Sequence, residues 1–267
     1  MHPPETILSL MSDAIQTAGD TLLHRFDPGA RPGSLAELLD AILANEQAVR
    51  EPLESRLLEA VPGSHFLDDH DEHEDLTGAD HEYGWVVDTV EGNVNHIHGR
   101  EGWAVTACLL RARQPFLAAV YIPLTKTLFT AALGQGAKRH DQRLRVSGKT
   151  ELRAAVVATA QARPFEDAAT HAVTSRLIRN CLNGALLVRA SVPSTFELVD
   201  LAAGRLDAFW QHAGVSSGLA AGALLVREAG GIVTDLGGNQ WHPESTSFVA
   251  SSQGLHAQVL GCLRGDA

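Results

Sequence analysis

Apolar residues recur at helical spacing between 7 and 26 (Ile7, Leu10, Met11, Ile15, Ala18, Leu22, Leu23), predicting a helix with one buried face. Pro28, Gly29, Pro32 and Gly33 break it. Ser34 followed by Glu37 has the spacing of a capping box, and opens a second helix expected from 35 to about 60. Pro52 should bend or interrupt that helix. Glu46 shares a face of it with Ile42 and Val49. After Pro62 and Gly63, residues 65–67 read as a short strand, and the acidic and histidine-rich stretch 68–82 is too polar for a core. The apolar runs 85–90, 103–112, 115–123 and 128–132 predict a meander of strands, with Gly134 and Gly136 turning the chain after it. From 152 the pattern changes. Short apolar runs at 154–159 and 184–188 flank a helical stretch at 170–182. Helices at 196–204 and 218–229, strands at 232–234 and 247–251, and a helix at 255–263 complete an α/β second half. The shift near 145–152 divides the chain into an α+β sub-domain, 1–148, and an α/β sub-domain, 149–267.

Composition narrows the function more than the fold. The 267 residues, 45 % hydrophobic and 20 % charged, suffice for one large domain or two sub-domains. A net charge of −11 disfavours nucleic acid as a partner, since phosphate backbones need basic surface. Cys108, Cys181 and Cys262 are scattered without a CxxC spacing and read as buried thiols of a reducing compartment. With no signal-peptide pattern and no apolar run near the roughly 20 residues of a membrane span, the expectation is a cytoplasmic protein with no membrane partner.

Candidate chemistry concentrates in WVVDTVEGNVNHIHG, residues 85–99. An apolar strand there ends in Asp88 and Glu91 and breaks at Gly92. Carboxylates at a strand end supply hard oxygen ligands for a metal ion, and a glycine turn lets backbone N–H groups approach a phosphate. A strand followed by an ordinary polar turn is the competing reading.

The stretch resembles the W-x-x-D-P-x-D-G-T-x-N-F-x-x-G motif of inositol monophosphatase-like phosphatases. PGSHFLDD (62–69) is similar to that family's P-x-H-x-F-(I/L)-G-E segment. Phe129, Ala131, Gly134, Gly136, Ala137, Leu144 and Val146 resemble its central stretch, and LAAGRLDAFW (201–210) and AAGALLVREAGG (220–231) its C-terminal signatures. The resemblance implies a layered αβαβα sandwich, a homodimer, and magnesium-dependent hydrolysis of a small phosphorylated substrate, with manganese or zinc as alternatives.

It also implies roles. Asp69 falls on the first-metal glutamate and would help position water; Asp88 on the bridging aspartate, which also faces substrate; the Val90 carbonyl on the main-chain ligand; Glu91 on a second-metal aspartate. Gly92 and the Asn93 N–H fall on the phosphate-cradling turn. Asn93 replaces the threonine whose hydroxyl orients the nucleophilic water, and a carboxamide cannot reproduce that donor–acceptor geometry. Glu46 falls near a third metal. Gln211 stands where inositol-cleaving members bind substrate with a glutamate. Gly218 replaces the aspartate completing the second metal site, so that site is expected to be weakened.

His70, His73, His81, His96 and His98 offer imidazoles suited to zinc, manganese or iron. For 68–82 a solvated hairpin is the favoured reading. His96 and His98, alternating as on a strand, are the better candidates for a place near the site. Three functions remain open: a phosphomonoesterase on a small polyol, sugar or nucleotide phosphate; an impaired member serving as a binding or regulatory dimer; and histidine-assisted transition-metal chemistry.

Overall fold

The structure, a computed structural model, describes residues 2–67, 82–161, 164–213 and 218–266. Helix α1 (Pro4–Arg25) buries Ile7, Met11, Ile15 and Leu22, the stripe its periodicity predicts. Helix α2 (Leu35–Ala60) starts where Ser34 accepts from the Glu37 N–H at 3.2 Å; Glu37 in turn accepts from Gly33 rather than from Ser34. Pro52 does not interrupt α2, which runs on as one assigned helix.

A seven-stranded sheet follows in chain order: β1 (His65–Phe66), β2 (Tyr83–Glu91), β3 (Ala104–Arg111), β4 (Gln114–Ile122), β5 (Thr127–Ala132), β6 (Gly136–Arg139) and β7 (Gln142–Arg143). β1 runs parallel to β2 and every other pairing is antiparallel. The short helix α3 (Asn93–Ile97) interrupts the meander directly after β2. His96 and His98 therefore do not alternate on a strand: the backbone turns left-handed at Gly92 and coils at once, so the expected alternation is corrected to a helical turn.

The second sheet has the order β11-β12-β10-β8-β9, built from β8 (Val156–Thr159), β9 (Leu187–Ala190), β10 (Ala208–His212), β11 (Gly231–Thr234) and β12 (Ser247–Ser252). Its helices are α4 (Ala168–Gly184), α5 (Ser194–Ala202), α6 (Ala220–Glu228) and α7 (His256–Arg264). β10, which no periodicity announced, is the central strand, parallel to β8 and antiparallel to β12.

Packing resolves into five layers. α1 and α2 cover one face of the first sheet, α5 and α6 lie between the sheets, and α4 and α7 cover the far face of the second. This is the αβαβα sandwich. The sequence boundary at 148/149 falls between the sheets, but the middle core crosses it, joining Val86, Cys108 and Val120 to Leu198, Leu224 and Phe248. Two details seat α6. A side chain on Gly222 would come within 2.3 Å of Leu198 Cδ1, so glycine permits the close approach of α5. Glu228 accepts from the N–H groups of Gly134 and Gly136 at 2.8 and 2.7 Å, binding α6 to the turn before β6.

All three cysteines are free and buried. Burial pushes the Cys181 thiol up to about 12, where almost no thiolate exists at neutral pH. Among the described residues no helix is long and apolar enough to cross a membrane.

Candidate active site

Along a regular strand residues three apart face opposite sides. β2 escapes this through a bulge. Asp88 pairs with Thr106 and Glu91 with Ala104, so Thr89 and Val90 together oppose Val105 alone. The extra residue turns Asp88 and Glu91 to the same side, close enough for their carboxyl groups to hydrogen-bond. Asp88 is further held by the Val90 N–H, which donates to its Oδ1 at 3.0 Å.

Glu91 is buried, and its carboxyl is pushed well above the usual range by that burial first, then by the charge of Asp88 and their hydrogen bond. The Thr195 hydroxyl and N–H act in the opposite direction. Two acids crowded in this way favour either a shared proton or a cation between them.

The pair opens on a cavity of about 480 Å³ whose lining includes Glu46, Asp88, Val90, Glu91, Gly92 and Asn93 from the first half of the chain, with Gln161, Ser194, Gln211 and Gly218 from the second. Its charged lining residues, among those described, are the three carboxylates of Glu46, Asp88 and Glu91. Gly92, at φ +79°, makes the turn below them; a Cβ there would lie 2.6 Å from the Gly102 carbonyl oxygen. Gln211 is buried and donates to the Ala213 carbonyl at 3.3 Å. Asn93 lines the cavity, but its side chain is engaged with α2: Oδ1 accepts from Asn45 at 2.9 Å and Nδ2 donates to the Ile42 carbonyl at 3.4 Å.

Gly218 sits beside Glu91. A Cβ at Gly218 would lie 3.4 and 3.5 Å from the two Glu91 carboxylate oxygens, and 2.9 Å from Ser194 Oγ. The longer acid at 91 thus occupies the space in front of the missing side chain. Ser194 and Thr195 both donate to the Gly218 carbonyl, at 3.2 and 3.0 Å. Neither was singled out from sequence, because their place depends on the N-terminus of α5 meeting Glu91 from the other half of the chain.

Asp69, His70, His73 and His81 lie outside the described residues. His98 Nδ1 bonds the Val94 carbonyl at 2.8 Å, and His96 is buried behind Asn93 rather than lining the cavity. Among the described residues no three His, Cys, Asp or Glu side chains gather as a metal cluster.

The sequence matches the model of the inositol monophosphatase family over residues 4–265. The chain belongs to that family. An inositol-1-monophosphatase of Mesorhizobium japonicum is 30 % identical over 97 % of this chain and 96 % of its own length. A protein of Pseudomonas aeruginosa named Nus factor SuhB is 33 % identical over 93 % of this chain and 92 % of its own. Among solved structures, the extragenic suppressor protein SuhB of Bartonella henselae superposes with a TM-score of 0.79 at 28 % identity, covering 97 % of this chain and 99 % of that one. Membership in this family carries the phosphatase, hence hydrolase, assignment.

The family's chemistry calls for a divalent cation, and the local donor set suits one. Two carboxylates brought together by a bulge are hard oxygen donors of the kind magnesium takes, and Val90 lines the same cavity. Gly218, on the same cavity, contributes no side chain to it.

Proposed function

We propose that this family member is a metal-dependent phosphomonoesterase acting on a small polyol, sugar or nucleotide phosphate, with one competent metal site and a weakened second one. The observation carrying this reading is the acidic cavity. Glu46, Asp88 and Glu91 face it, and no described lining residue is basic, so a phosphate enters only alongside cations. Asp88, Glu91, the Val90 carbonyl and Asp69 would hold magnesium, or manganese or zinc in its place. The ion supplies positive charge to the phosphate and an acidified water. By the family resemblance Asp69 and Asn93 would help to place that water, Gly92 and the Asn93 N–H would hold phosphate oxygens, and Gln211 would meet the substrate's hydroxyl groups.

The proposal includes a cytoplasmic homodimer. Three buried free thiols fit a reducing compartment, and exposed Leu182, Leu186 and Leu187 with Val192 offer an apolar face beside the β9 edge. Phosphate release from a panel of phosphomonoesters with magnesium, manganese and zinc tests the activity. Turnover that disappears on chelation is expected, and none on any substrate with any metal would refute it.

A second reading, an impaired member serving as a binding or regulatory dimer, is favoured by Gly218 and by the tethered Asn93 side chain. Stoichiometric magnesium and phosphate binding in calorimetry would count against it.

The pairing of Glu91 with Gly218 makes a separate prediction. Gly218→Asp alone sets a third carboxylate against Glu91 and displaces Ser194 Oγ, with an expected loss of about 1–3 kcal/mol without metal. Adding Glu91→Asp removes one methylene and should recover that loss while tightening magnesium binding about tenfold, ~1.4 kcal/mol. Thermal melts and calorimetry measure both. A double variant binding magnesium no tighter than the parent would refute the compensation.

A further inference from the structure

Two positions at which this chain departs from the motif given above, Asn93 for threonine and His96 for phenylalanine, are joined by one buried relay. Its polarity can be read atom by atom. Arg25, in α1, can only donate, and its Nε lies 3.1 Å from Asn45 Oδ1. Asn45 therefore turns Nδ2 the other way, to Asn93 Oδ1 at 2.9 Å and His96 Nδ1 at 3.0 Å. At the far end the Leu22 carbonyl can only accept, and His96 Nε2 lies 3.0 Å from it. His96 must carry its proton on Nε2, leaving Nδ1 as the acceptor that Asn45 requires. Both ends of the relay, one a pure donor and one a pure acceptor, demand the same arrangement.

We infer that Asn45 and His96 are positioning residues that hold the Asn93 carboxamide with its oxygen toward α2, leaving an N–H of Nδ2 as the donor it offers to a ligand in the cavity. Asn93 Nδ2 has two hydrogens, and one goes to the Ile42 carbonyl. The other has no partner among the described residues, and Asn93 lines the cavity. In a pocket whose charged lining is all carboxylate, such a donor suits a phosphate oxygen. The groups around His96 keep the relay neutral. Phe26 and Trp103 pack against its ring edge-on at 5.5 and 4.7 Å, its hydrogen-bond partners among the described residues are the Leu22 carbonyl and Asn45, and Arg25 is the nearby cation. Burial, then Arg25, lowers the imidazole's affinity for a proton.

The ligand class rests on the phosphatase reading; the relay does not. Long-range nitrogen–proton NMR on the full chain should find His96 neutral with its proton on Nε2 from pH 6 to 8. A proton on Nδ1, or an imidazolium, would overturn the relay whatever the enzyme's activity. Asn45→Asp keeps the shape and the bond from Arg25 but removes the donor. It should charge His96, rotate the Asn93 amide, and weaken binding of inorganic phosphate in magnesium about tenfold, raising KM more than it lowers kcat. Asn93→Asp, which removes the donor directly, should weaken phosphate binding at least as much. Parent-like phosphate affinity in both variants would overturn the proposal. A parent that binds no phosphate, with His96 in the expected tautomer, would defeat the phosphatase reading and leave the relay standing.

Discussion

Asp88→Asn is expected to lower metal-dependent phosphate release on the order of 10³-fold while leaving the fold intact. The amide keeps the oxygen that accepts the Val90 N–H, and its NH2 group can donate to Glu91, so both of these contacts are retained. What is lost is a negative charge beside Glu91. In the metal-free protein that loss is favourable, because the charge of Asp88 is one of the causes raising the Glu91 carboxyl. The variant should therefore melt no lower than the parent without metal, yet gain little stability when magnesium is added. Mass action gives the parent about 2.7 kcal/mol at a metal concentration 100 times Kd. Melting curves with and without magnesium, beside a phosphate-release assay, separate this from simple damage. Parent-like turnover, or an equal rise in Tm with magnesium, would remove Asp88 from the proposed centre.

Replacing Asp207 should produce the larger change in stability. Its carboxylate sits at the start of β10 and accepts from Ser147 Oγ at 2.7 Å, Lys149 Nζ at 2.7 Å and the Val156 N–H at 2.8 Å. Burial raises this carboxyl, but Lys149, the Val156 N–H and Ser147 together hold it below the usual carboxylate range. Because the folded-state value is depressed, the stabilisation is present above the unfolded-state pKa of about 3.9 and is lost as pH falls through the folded value. Asp207→Asn turns an NH2 group toward donors on at least one side. Lys149 is 43 % exposed and can be rehydrated, so the expected loss is about 2–3 kcal/mol, roughly 5–10 °C in Tm. Urea melts between pH 3 and 7 should show the parent losing stability below about pH 4. The variant, already weaker at neutral pH, should lack that component. Equal stability at pH 7 would refute the assignment.

Part of the cavity lining was legible along the chain. Asp88, Glu91 and Gly92 fall within the one stretch 88–92, and the glycine that breaks the strand directly follows the second acid. The N-terminal helices and the meander were legible for a similar reason: their buried faces repeat with a period that one segment displays by itself. β10 was not, because its five residues, Ala208–His212, run from three apolar side chains into a glutamine and a histidine and show no alternation of buried and exposed positions. The strand-like reading of His96 and His98 failed because alternation over three residues cannot tell a strand from the single turn that follows a left-handed glycine.

By itself the sequence determined the family, the N-terminal helices, the meander and the stretch that carries the candidate acids, since each is written in local spacing and residue type. Only the tertiary structure decided that Asp88 and Glu91 face the same way, through the unequal pairing of β2 with β3. It alone set Glu91 against Gly218, 127 positions away, and turned the Asn93 amide through Asn45 and His96. The physical reason is the same in each case. A residue's type states which bonds it can make, but the direction in which it makes them is settled by partners that folding brings from distant parts of the chain.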